Sequence, residues 1–241
     1  MATNLIITPT YNEVENISAV IDKVMTLNLD TDILIIDDGS PDGTAKIIKE
    51  KQATNKRIHL IERPGKLGLG TAYVVGFHFA IEHGYDTVAQ MDGDFSHDPD
   101  EIVNMVQEIR ENNYDLVIGS RYTNGISVVN WPLKRLMLSY FASKYIQFIT
   151  RMPIHDGTAG FKTWKTEFLK TLNIDSVRSE GYSFQIEMHY RAWLKRPDKI
   201  KEIPIIFMDR TVGQSKMSKA IVREAIYRVW WMRMMSILGK L

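Results

Sequence analysis

The chain has no cysteine. That excludes disulfides and thiolate metal sites, and it fits a reducing compartment. A charge excess is missing too: 30 basic against 29 acidic residues leave a formal charge of +1. That balance argues against a general nucleic-acid binder, although local basic patches stay open. No uncharged apolar run approaches the roughly 18 to 20 residues that cross a bilayer. Met1-Ala2-Thr3-Asn4 does not begin a basic segment followed by a signal-peptide core. These absences set the expectation of a cytoplasmic chain, or one peripheral on the cytoplasmic face of a membrane. Internal repeats and low-complexity linkers are also lacking. The 241 residues and the 44% apolar fraction suit one large domain or two small ones.

Against that background one stretch stands out, Val88-Ala89-Gln90-Met91-Asp92-Gly93-Asp94-Phe95-Ser96-His97-Asp98-Pro99. An apolar, strand-like run ends in two carboxylates one residue apart. Strand pleating brings Asp92 and Asp94 to one side if extended geometry persists past the run. Their oxygens suit a hard divalent cation that also holds phosphate oxygens. For an isolated Asp-x-Asp, a pair of loop or cap aspartates is the stronger reading, so the surroundings decide.

The surroundings alternate. Leu5-Ile6-Ile7 reads as a buried strand, then Pro9 to Glu13 as a turn, then Glu15 to Leu27 as a helix. Asp32 to Ile36 is a second strand ending in Asp37-Asp38-Gly39-Ser40-Pro41-Asp42-Gly43-Thr44. A helix to about Ala53, a strand over Ile58 to Ile61, a glycine-rich loop from Arg63 to Gly70 and a helix to His83 follow. After the central run come a helix from Pro99 to about Glu111 and a strand over Asp115 to Ile118. Such alternation predicts an α/β fold with a mostly parallel, Rossmann-like sheet and helices on both faces. Ligands of such sheets sit beyond the carboxyl ends of the strands, so the polar loops share one edge. No G-x-G-x-x-G follows the first strand, so a dinucleotide is not indicated.

The second half is less regular. Leu133, Met137, Phe141, Tyr145 and Phe148 recur at helical spacing, interrupted by Lys134, Arg135 and Lys144. His155 to Phe161 reads as a loop leading to a short strand, Gly181 to about Leu194 as a helix, and Ile200 to Met208 as one strand. The last segment mixes Trp230, Trp231, Met232, Met234 and Ile237 with Arg223, Arg228 and Arg233. That mixture suits a helix in a membrane interface, and equally a helix packed on the domain or on a partner subunit. The helix from Leu133 to Ile149 poses the same choice.

Residue types in the loops suggest chemistry. Asp37 braces a turn or Asp38 meets a nucleoside, and both hold at once. Tyr11 packs on a base and Glu13 meets a ribose, if neither is an ordinary surface residue. Arg121, Arg210 and Lys216 are cations for phosphate oxygens. His97 and His155 read as loop hydrogen-bonders rather than metal ligands.

Thr8-Pro9-Thr10-Tyr11-Asn12-Glu13, Asp37 to Thr44, Asp92-Gly93-Asp94-Phe95-Ser96-His97 and Gly119-Ser120-Arg121-Tyr122 resemble the family-2 glycosyltransferases with the GT-A fold. Asn130-Trp131-Pro132, His155-Asp156-Gly157-Thr158, Gly160-Phe161, Gly181-Tyr182, Asp209-Arg210 and Gly213-Gln214-Ser215-Lys216 narrow the resemblance to the dolichol-phosphate (polyprenol-phosphate) mannose synthases. The resemblance implies GDP-mannose as donor, a polyprenyl phosphate lipid as acceptor and Mg²⁺ or Mn²⁺ as cofactor. It implies that Pro9, Tyr11, Glu13, Ile36 and Asp38 hold the nucleoside. Asp92, Gly93 and Asp94 would hold the diphosphate through the metal, with Asp92 and Asp94 as its ligands. Arg121, Arg210 and Lys216 would contact phosphates, and Arg135 and Ser139 the acceptor phosphate. Many relatives carry alanine in place of Gly93, and some an amide or lysine in place of Ser96 and Ser183, which leaves a third metal ligand and one donor contact unassigned.

The implied division is a catalytic domain over 1–215, with a nucleotide half 1–122 and an acceptor half 123–215. An amphipathic helix over 216–241 completes the chain. The membrane surface, and a small membrane-anchoring subunit, are the implied partners. An acceptor that is already ionised needs no general base. The expected reaction is therefore in-line attack of lipid phosphate on the anomeric carbon, with inversion to a β-linked product. The alternatives are a glucosyl or N-acetylhexosaminyl transferase using a UDP-sugar, or a non-catalytic membrane-surface subunit that keeps the fold.

Overall fold

The structure, a computed structural model, describes residues 3–177, 179, 181–209 and 219–241, with the helix backbone alone over 219–225. Its first strands are β1 (Asn4–Thr10) and β2 (Thr31–Asp37), and the leucines and isoleucines of both are fully buried. Near-continuous apolar runs of this kind form when both faces of a sheet are covered. Between them, α1 (Ile17–Met25) buries Ile17, Val20, Ile21 and Val24, the one-sided stripe of a helix on a sheet. Then follow α2 (Thr44–Thr54), β3 (Ile58–Glu62), α3 (Leu69–His83), β4 (Thr87–Gln90), α4 (Glu101–Asn112) and β5 (Leu116–Ser120).

The second half contributes β6 (Val128–Val129), α5 (Leu133–Thr150), β7 (Lys162–Lys165), α6 (Thr166–Leu169), α7 (Gly181–Lys195), β8 (Ile200–Pro204), β9 (Phe207–Met208) and α8 (Lys219–Ile237). Seven strands form one sheet in the order β3-β2-β1-β4-β7-β5-β8. All neighbours are parallel except β7, which runs antiparallel to both β4 and β5, with Val88 opposite Trp164 and Val117 opposite Thr163. The expectation of a mostly parallel α/β sheet holds. The single strand read over Ile200 to Met208 is corrected. It breaks after Pro204, so that β8 joins the main sheet beside β5 while β9 pairs with β6 in a small second sheet.

The two faces carry separate cores. One joins Ile6, Ile17, Ile21, Ile33 and Ile35 to Ile48 of α2 and Met105 of α4. The other joins Ile7, Leu34 and Ile36 to Phe77 of α3, Ile146 of α5, Phe184 of α7 and Met232 of α8. At Gly76 of α3 a Cβ would lie 2.6 Å from Ile7 Cδ1, so glycine is what lets that helix approach β1. No helix among the described residues is long and apolar enough to cross a membrane.

The strand order places the site. From β1 the chain steps outward through β2 and β3, then returns to the other side of β1 as β4. The loops after β1 and β4 therefore diverge, and a crevice opens between them at the carboxyl edge.

Candidate active site

That crevice is a cavity of about 680 Å³, within the range of small-molecule sites. One end is polar. Pro9, Tyr11 and Glu13 from the β1 loop, Asp38 from the β2 loop and Asp92, Gly93 and Asp94 from the β4 loop line it. Further along come Arg121, Arg135 and Ser139. The far end is apolar and helical, with Leu138, Phe141 and Tyr145 of α5 facing Ile186 of α7 and Ile226 and Val229 of α8. Of the residues expected at a ligand, ten thus meet one space. Arg210 and Lys216 lie outside the described residues.

Ile36 stands apart from the other expected residues. It is completely buried in the core shared by β2 and α3, and does not line the cavity.

The nucleoside-side carboxylates are braced. Asp37 accepts hydrogen bonds from Thr10 Oγ1 at 3.0 Å, Ser40 N at 2.8 Å and Ser40 Oγ at 2.6 Å, so it holds the turn. Asp38, beside it, is gripped by Arg63, whose Nε donates to Oδ1 at 2.6 Å. The buried Arg63 also donates to Thr71 Oγ1 at 2.7 Å and to Gly68 O at 3.0 Å, which ties the β2 loop to the start of α3. Sequence reading placed Arg63 only at the head of a glycine-rich loop. Lys66 of that loop lies 5.0 Å from the centre of the Tyr11 ring, and it too lines the cavity.

The acidic pair sits on a loop and not on a strand. β4 ends at Gln90, and Phe95 takes a positive φ of 58°, so pleating is not what brings Asp92 and Asp94 to the cavity. A backbone amide of the same loop, Ser96 N, donates to Asp94 Oδ1 at 3.0 Å. Among the described residues no cluster of three His, Cys, Asp or Glu side chains could enclose a metal. Two hard carboxylates at an open cavity instead fit a cation such as Mg²⁺ or Mn²⁺, which completes its shell with substrate phosphate oxygens and water.

Arg121 reaches the cavity with its guanidinium already paired. Buried Asp156 takes Nε and Nη2 at 2.7 Å each and also accepts the Arg121 backbone N–H at 3.1 Å. Nη2 also reaches Thr158 Oγ1 at 2.9 Å. Burial alone would raise the Asp156 carboxyl, but the guanidinium overrides it and holds the group below its ordinary range. Asp156 is in turn clamped from behind: Glu202 accepts the backbone N–H groups of Asp156 at 2.9 Å and His155 at 2.8 Å, and His155 Nδ1 at 2.8 Å. Arg135 lies over the Trp131 ring at 4.2 Å and pairs with Asp209 at 2.7 Å. Ser139 Oγ accepts the Tyr122 hydroxyl at 2.7 Å.

His155 is the hydrogen-bonder it was read to be, but His97 is not. The His97 ring is buried, stacked on Phe161 at 4.7 Å and set edge-on to Phe207 at 5.2 Å. Its Nδ1 has no partner among the described residues, and burial lowers its pKa to about 4. It lines the cavity as a neutral ring. Only its place three residues after Asp94 hinted at the cavity.

Comparison with known proteins follows from this geometry. Residues 5–172 match the model of glycosyl transferase family 2. The chain is 40% identical over 232 residues to the polyprenol monophosphomannose synthase of Mycolicibacterium smegmatis, covering 95% of this chain and 87% of that protein. It is 38% identical over 225 residues to the undecaprenyl-phosphate mannosyltransferase of Micrococcus luteus, covering 93% and 91%. Among solved structures, glucosyl-3-phosphoglycerate synthase from Mycobacterium tuberculosis, in complex with Mn²⁺, uridine diphosphate and glucosyl-3-phosphoglycerate, superposes with a TM-score of 0.71. That match is 16% identical and covers 96% of this chain and 80% of the other, so it speaks for the fold alone.

Proposed function

The chain belongs to glycosyl transferase family 2, and on that premise we propose that it transfers mannose from GDP-mannose to a polyprenyl phosphate, inverting the anomeric carbon. One observation carries the reading: the acidic pair and the apolar faces of α5 and α8 line the same cavity. A polar nucleotide sugar and a lipid phosphate can therefore meet there. The names of the two relatives support the mannosyl group and the lipid acceptor.

On this reading Tyr11, Glu13 and Pro9 hold the nucleoside, with Asp38 kept in place by Arg63. Asp92 and Asp94, with Gly93 between them, hold the diphosphate through a divalent cation, Mg²⁺ or Mn²⁺. That ion supplies charge neutralisation of the leaving group. Arg210 and Lys216 add cations from outside the described residues. The acceptor phosphate sits toward Arg135 and Ser139, and its oxygen forms the new bond to the anomeric carbon. The bond from that carbon to the diphosphate breaks, and its electron pair leaves with GDP. No proton moves, because the acceptor is already an anion. Asp156 suits this chemistry, since a carboxyl held low by Arg121 is a poor proton acceptor. Arg121 keeps Nη1 for a phosphate oxygen, its Nε and Nη2 being taken by Asp156 and Thr158.

We assign the nucleotide half to 1–122, the acceptor half to 123–215 and the terminal helix to 216–241. The exposed faces of α5 and α8 lie at the membrane interface on the cytoplasmic side, alone or beside a small anchoring subunit. Radiolabel transfer from GDP-mannose and from several UDP-sugars to polyprenyl phosphate tests the whole. Label from GDP-mannose alone, in a β-linked product, is the expected result. Label from a UDP-sugar instead, or an α-linked product, refutes the assignment.

A further inference from the structure

Three residues that line the cavity each hold a buried polar atom with no hydrogen-bond partner among the described residues: His97 Nδ1, Trp131 Nε1 and Gln185 Oε1. Two of these side chains are almost wholly enclosed, His97 at 5% and Gln185 at 2% exposure. The reaction above uses none of them. Contacts string them along one wall. Phe207 touches two of the rings, lying edge-on to His97 at 5.2 Å and to Trp131 at 5.2 Å. The His97 ring is also stacked on Phe161 at 4.7 Å. Beside Phe161 is Gly160, where a Cβ would lie 3.7 Å from Gln185 Nε2. Because β7 pairs Lys162 with Gln90 of β4, the segment with Gly160 and Phe161 leads into the sheet next to the strand that carries the acidic loop. The wall thus starts three residues past Asp94 and ends under Arg135, whose guanidinium lies 4.2 Å from the centre of the Trp131 ring.

Buried side-chain polar atoms nearly always have a partner, and leaving one without costs stability. Apolar side chains of similar shape would avoid that cost, so the fold alone does not account for these three. Their chemistry indicates what they suit. An indole N–H only donates, an amide donates and accepts, and a neutral imidazole does one at each nitrogen. Hexose hydroxyls also donate and accept, and so match this mixed set. A phosphate anion only accepts, and a hydrocarbon chain does neither. On the reaction above, the sugar ring stands where this wall runs, between the acidic pair and Arg135.

We propose that His97, Trp131 and Gln185 form the sugar subsite: their polar groups bind hydroxyls of the donor hexose and hold its anomeric carbon between the leaving diphosphate and the acceptor. A site built to hydrogen-bond hydroxyls discriminates between sugars more sharply than an apolar one, because a mismatched sugar leaves its polar groups unpaired. The inference deepens the transfer reading above and rests on it.

The test compares GDP with GDP-mannose, each titrated calorimetrically in the presence of Mn²⁺. The intact wild type is set beside His97→Phe, Trp131→Phe and Gln185→Met, and stability is followed by urea denaturation. The expected result is a GDP-mannose dissociation constant raised about three- to tenfold in each variant. The GDP constant stays unchanged, and stability equals the wild type's or exceeds it. Unchanged GDP-mannose affinity in the variants overturns the inference. An equal weakening of GDP overturns it too, because the groups would then serve the nucleotide. So does a loss of stability in step with the loss of affinity, which would make them props of the fold. Each of these outcomes leaves the transfer reading standing. A wild type that binds neither ligand refutes that reading, and this inference falls with it.

Discussion

On the donor side of the cavity the carboxylates are locked by their own neighbours: Asp37 by Thr10 and Ser40, Asp38 by Arg63. Around the other end, on the outer faces of α5 and α8, the chain leaves large apolar side chains uncovered, with Leu133 at 69%, Phe148 at 66%, Tyr227 at 72% and Ile237 at 70% exposure. One wall recognises by directed hydrogen bonds, which need fixed partners. The other has apolar area and little direction, which suits a flexible hydrocarbon chain and a lipid surface. The difference teaches that the two substrates meet different kinds of order. On the proposed reading the donor would enter a preformed polar seat, and the acceptor would arrive along the apolar surface of α5 and α8. Arg121 and Asp156 stand where the walls join.

The comparison breaks most visibly at that joint. Asp156→Ala removes the partner of a buried guanidinium, and unpairing such a bridge costs about 3 to 5 kcal/mol. Urea denaturation should record a loss of that size, and transfer should fall with it. A near-neutral result would mean that the pair does not join the walls. Next in size, Asp94→Ala should lower mannose transfer by about 10²- to 10³-fold, the loss usual for one essential electrostatic contact, while vesicle binding stays as it was. Loss of both together would dissolve the distinction between the walls.

A smaller effect sharpens the comparison through pH. His97 is neutral in the fold, its pKa lowered to about 4 from 6.5 by burial. Below pH 6.5 the unfolded chain takes up a proton that the folded chain refuses, so stability falls as pH falls through this window. His97 alone accounts for a loss on the order of 3 kcal/mol by pH 4. Buried His189, also lowered, adds to the same slope. Asp156 acts in the other window. Its carboxyl is depressed below 3.8, so its contribution is complete above that value and is lost only at lower pH. His97→Phe, which keeps the ring stack on Phe161, should flatten the slope between pH 6.5 and 4; an unchanged slope would show that His97 is not held neutral. The smallest effect on stability comes from the exposed wall. Phe148→Ser with Ile237→Ser should change stability by no more than about 0.5 kcal/mol each. Binding to anionic vesicles should nevertheless weaken, with GDP affinity unaltered. Unchanged vesicle binding would assign that wall to a partner subunit.

The two walls were also unequally legible. β1 and β2 announced themselves as short, buried apolar runs closed by turn formers, and β3 to β5 by their alternation with helical stripes. The positions of Pro9, Tyr11, Glu13, Asp38 and the acidic pair then followed from the rule that loops at the carboxyl edge share a crevice. What stayed hidden depends on non-local contact. The antiparallel direction of β7 is set by where the chain returns between β4 and β5, and no local periodicity encodes it. The break after Pro204 is a choice between two sheets, while alternation continues through it. Ile36 looked like a cavity residue by resemblance, yet as a β2 side chain it points into the α3 core. The pairings of Arg121 with Asp156 and Arg63 with Asp38 join residues 35 and 25 apart. The first engages a cation counted for phosphate, and the second braces a carboxylate counted for the nucleoside. His97 was hidden for the opposite reason: a histidine after Asp-Gly-Asp-Phe-Ser reads as polar loop, and its burial depends on Phe161 and Phe207.

The central claim is that this cavity transfers a sugar to an acceptor that is already an anion. The most direct measurement offers the protein GDP-[¹⁴C]mannose with polyprenyl phosphate or with the matching polyprenol, at pH 7 to 9. Labelled lipid from the phosphate alone, at a rate nearly level across that range, is the predicted result. Labelled lipid from the neutral alcohol, or a rate that climbs with the ionisation of a protein base, would contradict it.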